Sequence, residues 1–285
     1  MDWKILRTVI LNLNSYEMNR DLVGYSFEEV TRLIKPEEAI EFAQATKDNN
    51  PIYHQGHLAP PFFVNKLLYP LLKKLMCHND LRMNLIRMVH AEQEMIWHKP
   101  IAVGKRLTAK MEITEIADTP IGEMIKITTR GYDDANPVIE GIIGLIVRNK
   151  TRPIKKNTIG KVAQKETFRL QIQIDDGQQL RYAKISGDNN SIHTNNLIAK
   201  MAGLPRTVMH GAGVLAMICA SLVENQLDYD IKRLKSIRGQ FRKPVIPGEL
   251  LTLIAYESAK IGVIPFDVFN PVGNIVFQNG IFGYQ

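Results

Sequence analysis

This 285-residue chain is short of several things, and each shortage removes a class of function. It has two cysteines, Cys77 and Cys219, without metal-ligand spacing. Neither a disulfide framework nor a thiolate zinc site is expected, and the pair suits buried thiols in a reducing compartment. No apolar run reaches the roughly 20 residues of a membrane-spanning helix. The best run, residues 208–223, is interrupted by His210, Gly211, Gly213 and Ser221. The start, Met1-Asp2-Trp3-Lys4-Ile5-Leu6, shows no small-residue cleavage site of a secretory signal, so a cytoplasmic chain is expected. No G-x-S-x-G elbow or P-loop is present. Asp188-Asn189-Asn190-Ser191 opens like a calcium loop but lacks the required glycine and closing glutamate. Without zinc spacing or an RNA-binding aromatic motif, no nucleic-acid partner is expected. Neither a metal nor a cofactor is expected.

What is present suits a globular chain: 45% hydrophobic and 23% charged residues, and room for one large domain or two modest ones. The net charge of +7 is concentrated. Arg148, Lys150, Arg152, Lys155, Lys156, Lys161 and Lys165 fall in one stretch without an acid, matching the whole excess. Such a block reads as a solvated linker or as a patch for a phosphate-rich ligand.

Lys35-Pro36-Glu37-Glu38 has the proline and early acids of a helix start. Ala39, Ile40, Phe42 and Ala43 continue it as an apolar face, up to about Lys47. After Pro60-Pro61, an apolar segment to Cys77 predicts a buried helix, bent or delayed by Pro70. Four strands are predicted at 87–97, 106–116, 123–132 and 138–147, with turns at Pro100/Gly104, 118–122 and 133–137. Beyond the basic segment the pattern recurs. A strand is expected at 168–174, a short helix at 180–185 and a buried helix at 208–226. Further strands are expected at 238–243, 250–257, 266–269 and 275–282.

The recurrence is also residue by residue. F-A-Q-A-T-K-D-N-N-P-I from Phe42 aligns with Y-A-K-I-S-G-D-N-N-S-I from Tyr182, at an offset of 140. Trp97-His98-Lys99-Pro100 with Gly104 aligns with Phe241-Arg242-Lys243-Pro244 with Gly248, at an offset of 144. Two copies of one domain are therefore expected: residues 1–148, a linker at 149–165, and residues 166–285. Each copy should be an α+β layer with a central helix against a mostly antiparallel sheet. The two sheets can join edge to edge and hide their edge strands.

Chemistry concentrates in the second copy, in Ser186, Asp188, Asn190 and His193. Asp188 and His193 diverge on a continuous helix but can converge in a loop after a helix end. An acid beside an imidazole orients it and tunes it for proton transfer. The same residues also suit an Asx-rich helix cap with an incidental histidine. His210-Gly211 opens the buried helix, whose free N–H groups can bind a developing oxyanion or simply start the helix. His54, His57, His78, His90 and His98 show no metal spacing, and most are expected to be incidental.

The motif Y-A-x-x-S-G-D-x-N-x-I-H at 182–193, then A-G-L-P at 202–205 and M-H-G at 209–211, resembles the MaoC-like, or hydratase 2, family of (R)-specific enoyl-CoA hydratases. The first half resembles that family's noncatalytic N-terminal repeat, through Asp48-Asn49-Asn50-Pro51-Ile52-Tyr53, Ala59-Pro60-Pro61-Phe62, His90-Ala91-Glu92-Gln93-Glu94 and His98-Lys99-Pro100. The resemblance implies a double hot-dog fold, a pseudo-dimer within one chain that can itself pair as a homodimer. It implies that Asp188 and His193 activate water for addition to a trans-2-enoyl thioester, giving the (R)-3-hydroxyacyl product, or catalyse the reverse dehydration. Asn190 would assist, and the Gly211 N–H would polarise the thioester carbonyl. The substrate would be an acyl-CoA or acyl-carrier-protein thioester of fatty-acid metabolism. Its binding residues are expected to be Ser186 and His210, with Arg238, Arg242 and Lys243 meeting phosphates. A carrier-protein dehydratase, a hot-dog thioesterase and a non-catalytic acyl-CoA-binding protein are the alternatives.

This chain departs from the pattern at Ser191, where many members have proline, and at Asn195-Asn196, where they have Asp-Pro. The first copy has Tyr53 in place of histidine, a poor base near neutral pH. It also has Pro60-Pro61 in place of His210-Gly211, and proline offers no N–H. That half is expected to bind the acyl chain, unless His54 serves as a slipped equivalent.

Overall fold

A computed structural model describes residues 3–15, 17–149 and 164–285. In chain order the helices and strands are α1 (Trp3–Leu11), β1 (Val30–Leu33), α2 (Pro36–Ala45), α3 (Pro51–His54), β2 (Leu58–Ala59), α4 (Asn65–Met76), β3 (Met88–Trp97), β4 (Ile101–Ala102), β5 (Arg106–Thr119), β6 (Gly122–Asp133) and β7 (Asn136–Arg148). The second half continues with β8 (Glu166–Gln173), α5 (Gln178–Ser186), α6 (Ser191–Thr194), α7 (Asn196–Met201), α8 (Gly211–Leu227), β9 (Leu234–Phe241), β10 (Leu250–Tyr256), β11 (Val263–Phe269) and β12 (Ile275–Tyr284). The basic segment falls almost wholly on residues 150–163, outside the described residues.

Ten strands form one sheet in the order β1-β5-β6-β7-β3-β9-β12-β11-β10-β8, and all nine pairings between neighbours are antiparallel. Read outward from the middle, each half repeats the same order. The halves meet where β3 pairs with β9, so each covers the other's edge strand. Glu94 pairs with Arg238, its own counterpart at the offset of 144. The rings of Phe42 and Tyr182, counterparts at the offset of 140, meet edge to face with centroids 5.9 Å apart. A pseudo-two-fold axis runs between both pairs.

The strands are half-buried because their sequence alternates. β5 carries its buried residues at Leu107, Ala109, Met111 and Ile113, the period-two pattern of a sheet with one covered face. The covering elements are α4 and α8. Eleven of the 17 residues of α8 are buried, all round its circumference, as expected of a helix enclosed by sheet. Leu222, Leu215 and Ile218 are fully enclosed. Leu222→Ala should therefore lower unfolding stability by about 2–5 kcal/mol in a denaturant titration. α4 starts at Asn65, after a 3₁₀ turn at Pro61–Val64, and holds Pro70 in its interior.

Seven elements have no forecast in the sequence: α1, β1, α3, β2, β4, α6 and α7. α1 keeps Trp3, Ile10 and Leu11 exposed, and β1 is a four-residue edge strand on β5. Among the described residues, no helix is long and apolar enough to cross a membrane.

Candidate active site

The second repeat's polar segment is a wound loop. α5 ends at Ser186, and Gly187 takes a left-handed φ of 84° that turns the chain out of the helix. Ser186 Oγ donates to the Tyr182 carbonyl at 2.7 Å and accepts from the Asp188 N–H at 3.2 Å. Asp188 Oδ1 accepts from the Asn190 N–H at 3.2 Å, and Asn190 Oδ1 caps α6 by accepting from the Ile192 N–H at 3.3 Å. These local bonds bring Asp188 and His193 together, as a loop allows and a straight helix does not. Donor atoms of Asp188, His193 and His210 lie within 4.8 Å of one another.

The backbone decides the histidine tautomers. His193 Nδ1 lies 2.8 Å from the Val208 carbonyl, which can only accept, so Nδ1 carries the proton and Nε2 keeps its lone pair. His210 Nε2 lies 2.8 Å from the Asp188 carbonyl and is likewise the protonated nitrogen, leaving its buried Nδ1 without a partner. The two rings stack with centroids 3.7 Å apart and planes 26° apart. Burial lowers the His193 pKa, against the opposing pull of the Asp188 charge and the Val208 carbonyl. Burial and the neighbouring His193 push His210 well below the ordinary value. Both imidazoles are thus neutral near pH 7. Near-parallel stacked rings do not aim their in-plane lone pairs at one point about 2.0–2.1 Å from each, as a metal requires. The arrangement leaves the His193 Nε2 lone pair beside the Asp188 carboxyl, a geometry that can take up a proton.

Other residues singled out in the sequence sort by position. Asn190 and Ser186 hold the loop that presents Asp188. Gly211 is the first residue of α8, and a Cβ on it would meet His90 Nδ1 at 3.0 Å and the Phe241 ring at 3.3 Å. Phe241 therefore faces the site. Arg238, three residues earlier on a stretch of β9 that has no extra residue, points from the opposite face of the sheet. It lines a cavity of about 260 Å³ with Tyr256, Asp267 and Asn279. Arg242 is exposed and donates to Gln278 Oε1 at 3.0 Å, and Lys243 is exposed beyond the strand. Within the chain, these three basic residues are not gathered around Asp188 and His193. His90 is the residue that sequence reasoning passed over. Its only signal was its place at the head of H-A-E-Q-E.

The first repeat reproduces most of the loop's bonds, although the Asp48 N–H goes to the Ala43 carbonyl and not to the preceding hydroxyl. Thr46 Oγ1 donates to the Phe42 carbonyl at 2.9 Å, Lys47 holds a φ of 54° where the second copy has Gly187, and Asn50 Oδ1 caps α3 at the Ile52 N–H. Tyr53 occupies the place of His193, fully buried with its hydroxyl unpartnered, and burial pushes its pKa well above 10. His54 is exposed, so the slipped-equivalent expectation is overturned.

A tandem pair of helix-in-sheet repeats joined in one sheet is the double hot-dog class. A conserved hypothetical protein of Mycobacterium tuberculosis described as having a double hotdog fold superposes with a TM-score of 0.60 at 12% identity, over 92% of this chain and 96% of that one. A MaoC-like dehydratase from Phytophthora capsici superposes with a TM-score of 0.79 at 21% identity, over 94% and 98%. The family model described as MaoC like domain matches residues 157–264, and that of the FAS1-like dehydratase domain region matches residues 21–140. The second half of the chain thus matches a MaoC-like dehydratase domain, and the first half a dehydratase region. The peroxisomal enoyl-CoA hydratase 2 of Arabidopsis thaliana is 23% identical over 185 residues, 58% of this chain and 58% of that protein. The match thus spans less than two thirds of that relative's length.

Proposed function

We propose that the protein hydrates trans-2-enoyl-CoA to (R)-3-hydroxyacyl-CoA, or catalyses the reverse dehydration, with one active site per chain in the second repeat. The observation that carries this reading is the free lone pair of His193 Nε2, set by the Nδ1 bond to Val208 and placed beside Asp188. In the hydration direction Nε2 takes a proton from water, and the water oxygen bonds to the β-carbon. The carbon–carbon π pair moves toward the thioester, whose oxygen gains negative charge. The first N–H groups of α8, at Gly211, suit that charge. A proton returned to the α-carbon completes the addition and restores the site. Asp188 holds and polarises the water and the imidazolium that forms.

The first repeat, lacking the base and the His-Gly helix start, serves as the binding half and makes room for the acyl chain. Residues 149–165 link the repeats. Two free thiols agree with a cytoplasmic or otherwise reducing location. CoA is favoured over a carrier protein by the name of the Arabidopsis relative.

The test is a hydration assay of the purified chain across enoyl-CoA lengths, with chiral analysis of the product. (R)-3-hydroxyacyl-CoA is expected. Thiol release without hydration would instead make it a thioesterase, and tight acyl-CoA binding without turnover a binding protein.

A further inference from the structure

His210 stands where a helix cap belongs and does not cap. It is the residue before Gly211, extended at φ −66° and ψ 133°, with no side-chain bond to the N–H groups that open α8. Ser, Thr, Asp or Asn at this place would turn an oxygen onto one of those donors. The imidazole leaves the helix start open and turns to the Asp188 loop. Its Nε2–H donates to the Asp188 carbonyl at 2.8 Å, 22 positions away in the chain. Its face lies on the His193 ring, with centroids 3.7 Å apart. The Val214 N–H bonds the His210 carbonyl at 2.9 Å, so the backbone that carries the ring is anchored to α8. One side chain ties the acid's backbone and the base's ring to the start of a buried helix.

Two observations argue against mere packing. His210 Nδ1 is sealed from solvent without a hydrogen-bond partner. Buried polar atoms are rarely left so, and an apolar ring would fill the same space without that cost. The pseudo-symmetry supplies a control. The first repeat has Pro60 at this place, extended alike at φ −56° and ψ 150° before the 3₁₀ turn at Pro61–Val64. Proline has no side-chain donor for the Asp48 carbonyl, yet the first loop winds, with Thr46 bonded to Phe42 and Asn50 capping α3. The loop's shape therefore needs no histidine over it. The copy that holds Asp188 and His193 is the one that has it.

We propose that His210 is a positioning residue, holding Asp188 by its backbone and His193 by its ring face so that acid and base keep one geometry while the proton moves. The proposal rests on the hydratase reading. The base has to take up a proton without turning away from the water, and a misplacement of about 1 Å can cost on the order of 10²-fold in rate. The Val208 carbonyl fixes one nitrogen of His193, but a single hydrogen bond lets the ring tilt about it. The stacked His210 face removes that tilt. His210 itself stays out of the proton's path. Its Nε2–H is committed to the Asp188 carbonyl, and burial beside His193 pushes its pKa well below 6.5. No second cation then stacks on the imidazolium that His193 becomes.

Three variants separate the two contacts beside the wild type. Each is read by kcat and KM for an enoyl-CoA, the pH profile of kcat/KM and a thermal unfolding trace. His210→Gln keeps a donor near Nε2 and loses the ring, His210→Phe keeps the ring and loses the donor, and His210→Ala loses both. The Ala variant should lose about 10–10²-fold in kcat with KM changed far less, and the Gln and Phe variants should each run at least about 3-fold faster than Ala. The acid limb reads the stack. The titratable side chains at His193 are Asp188 and His210, with Tyr182 beside His210. Without a ring over it, His193 meets water, and its pKa rises back toward 6.5. The limb should therefore move up in pH in the Gln and Ala variants and stay in place in the Phe variant. A merely structural histidine would lower the unfolding temperature in all three and leave the limb unmoved. An Ala variant within about 3-fold of wild type, a Gln or Phe variant no faster than Ala, or one acid limb shared by Gln and Phe overturns the proposal. Should the Ala variant fail to fold, the split of the limb between Gln and Phe decides. Wild type that hydrates while the variants match it removes the role of His210 alone. Wild type that hydrates no enoyl thioester removes the hydratase reading and this role with it.

Discussion

Asp188→Asn and His193→Ala should each lower kcat for enoyl-CoA hydration by about 10²–10⁴-fold, the usual contribution of a positioned acid or base. The far-UV circular dichroism should stay that of the wild type, because the loop is held by other bonds. Asn190 still caps α6, and Ser186 still bridges Tyr182 and Asp188. An Asn side chain at 188 can also keep accepting from the Asn190 N–H. In the proposed mechanism the two residues act on one water, so the double variant should be little worse than either single one. The pH profile gives a second check. Burial lowers the His193 pKa from the ordinary 6.5, so the neutral, base-competent ring persists to more acidic pH than a free histidine would. The acid limb of kcat/KM should fall below 6.5. Activity unchanged in both variants would remove the assignment of the site.

Asp48→Asn should stabilise the protein at pH 8 and do much less at pH 4. Asp48 is the counterpart of Asp188, but it is 7% exposed and lies in the first repeat, where the histidine has become Tyr53. Burial raises its pKa from 3.8 to about 7; the Asn50 N–H bond opposes this, and the Glu224 charge adds to it. Below pH 3.8 the carboxyl is protonated folded and unfolded alike, and it exerts no pH-dependent effect. Between 3.8 and about 7 the unfolded chain releases the proton while the folded one keeps it, so stability falls as pH rises. Above 7 the whole penalty is present, on the order of 4 kcal/mol. Asparagine cannot ionise and removes that penalty. Urea titrations of both proteins at pH 4 and pH 8 measure it. An equal effect at the two pH values, or no gain at pH 8, would mean that Asp48 ionises freely in the fold.

The two carboxyls show how one local sequence serves two ends. D-N-N at 48–50 and at 188–190 winds the same turn, because Asx side chains bond their own backbone two residues on. What differs is the residue five places after each Asp, tyrosine or histidine, and what packs over the loop.

Local chemistry is what the sequence by itself determined. The repeat, the strands with period-two burial, the wound loop at 187–190 and the Asp188/His193 pairing all rest on residues near one another in the chain, where propensity and hydrogen-bond reach decide the outcome. Only the tertiary structure decided what depends on long-range meetings. The β3–β9 seam set which counterparts meet across the pseudo-axis. The Val208 carbonyl chose the His193 tautomer from 15 residues away. The alternation of β9 sent Arg238 to the outer face, away from Phe241 and Gly211. His90 is the sharpest case. Simple alternation along β3 places it outside, and a one-residue bulge, invisible in composition or period, turns it in against a glycine 121 positions later. A side chain's face is inherited from strand register, and register is settled by the partner strand.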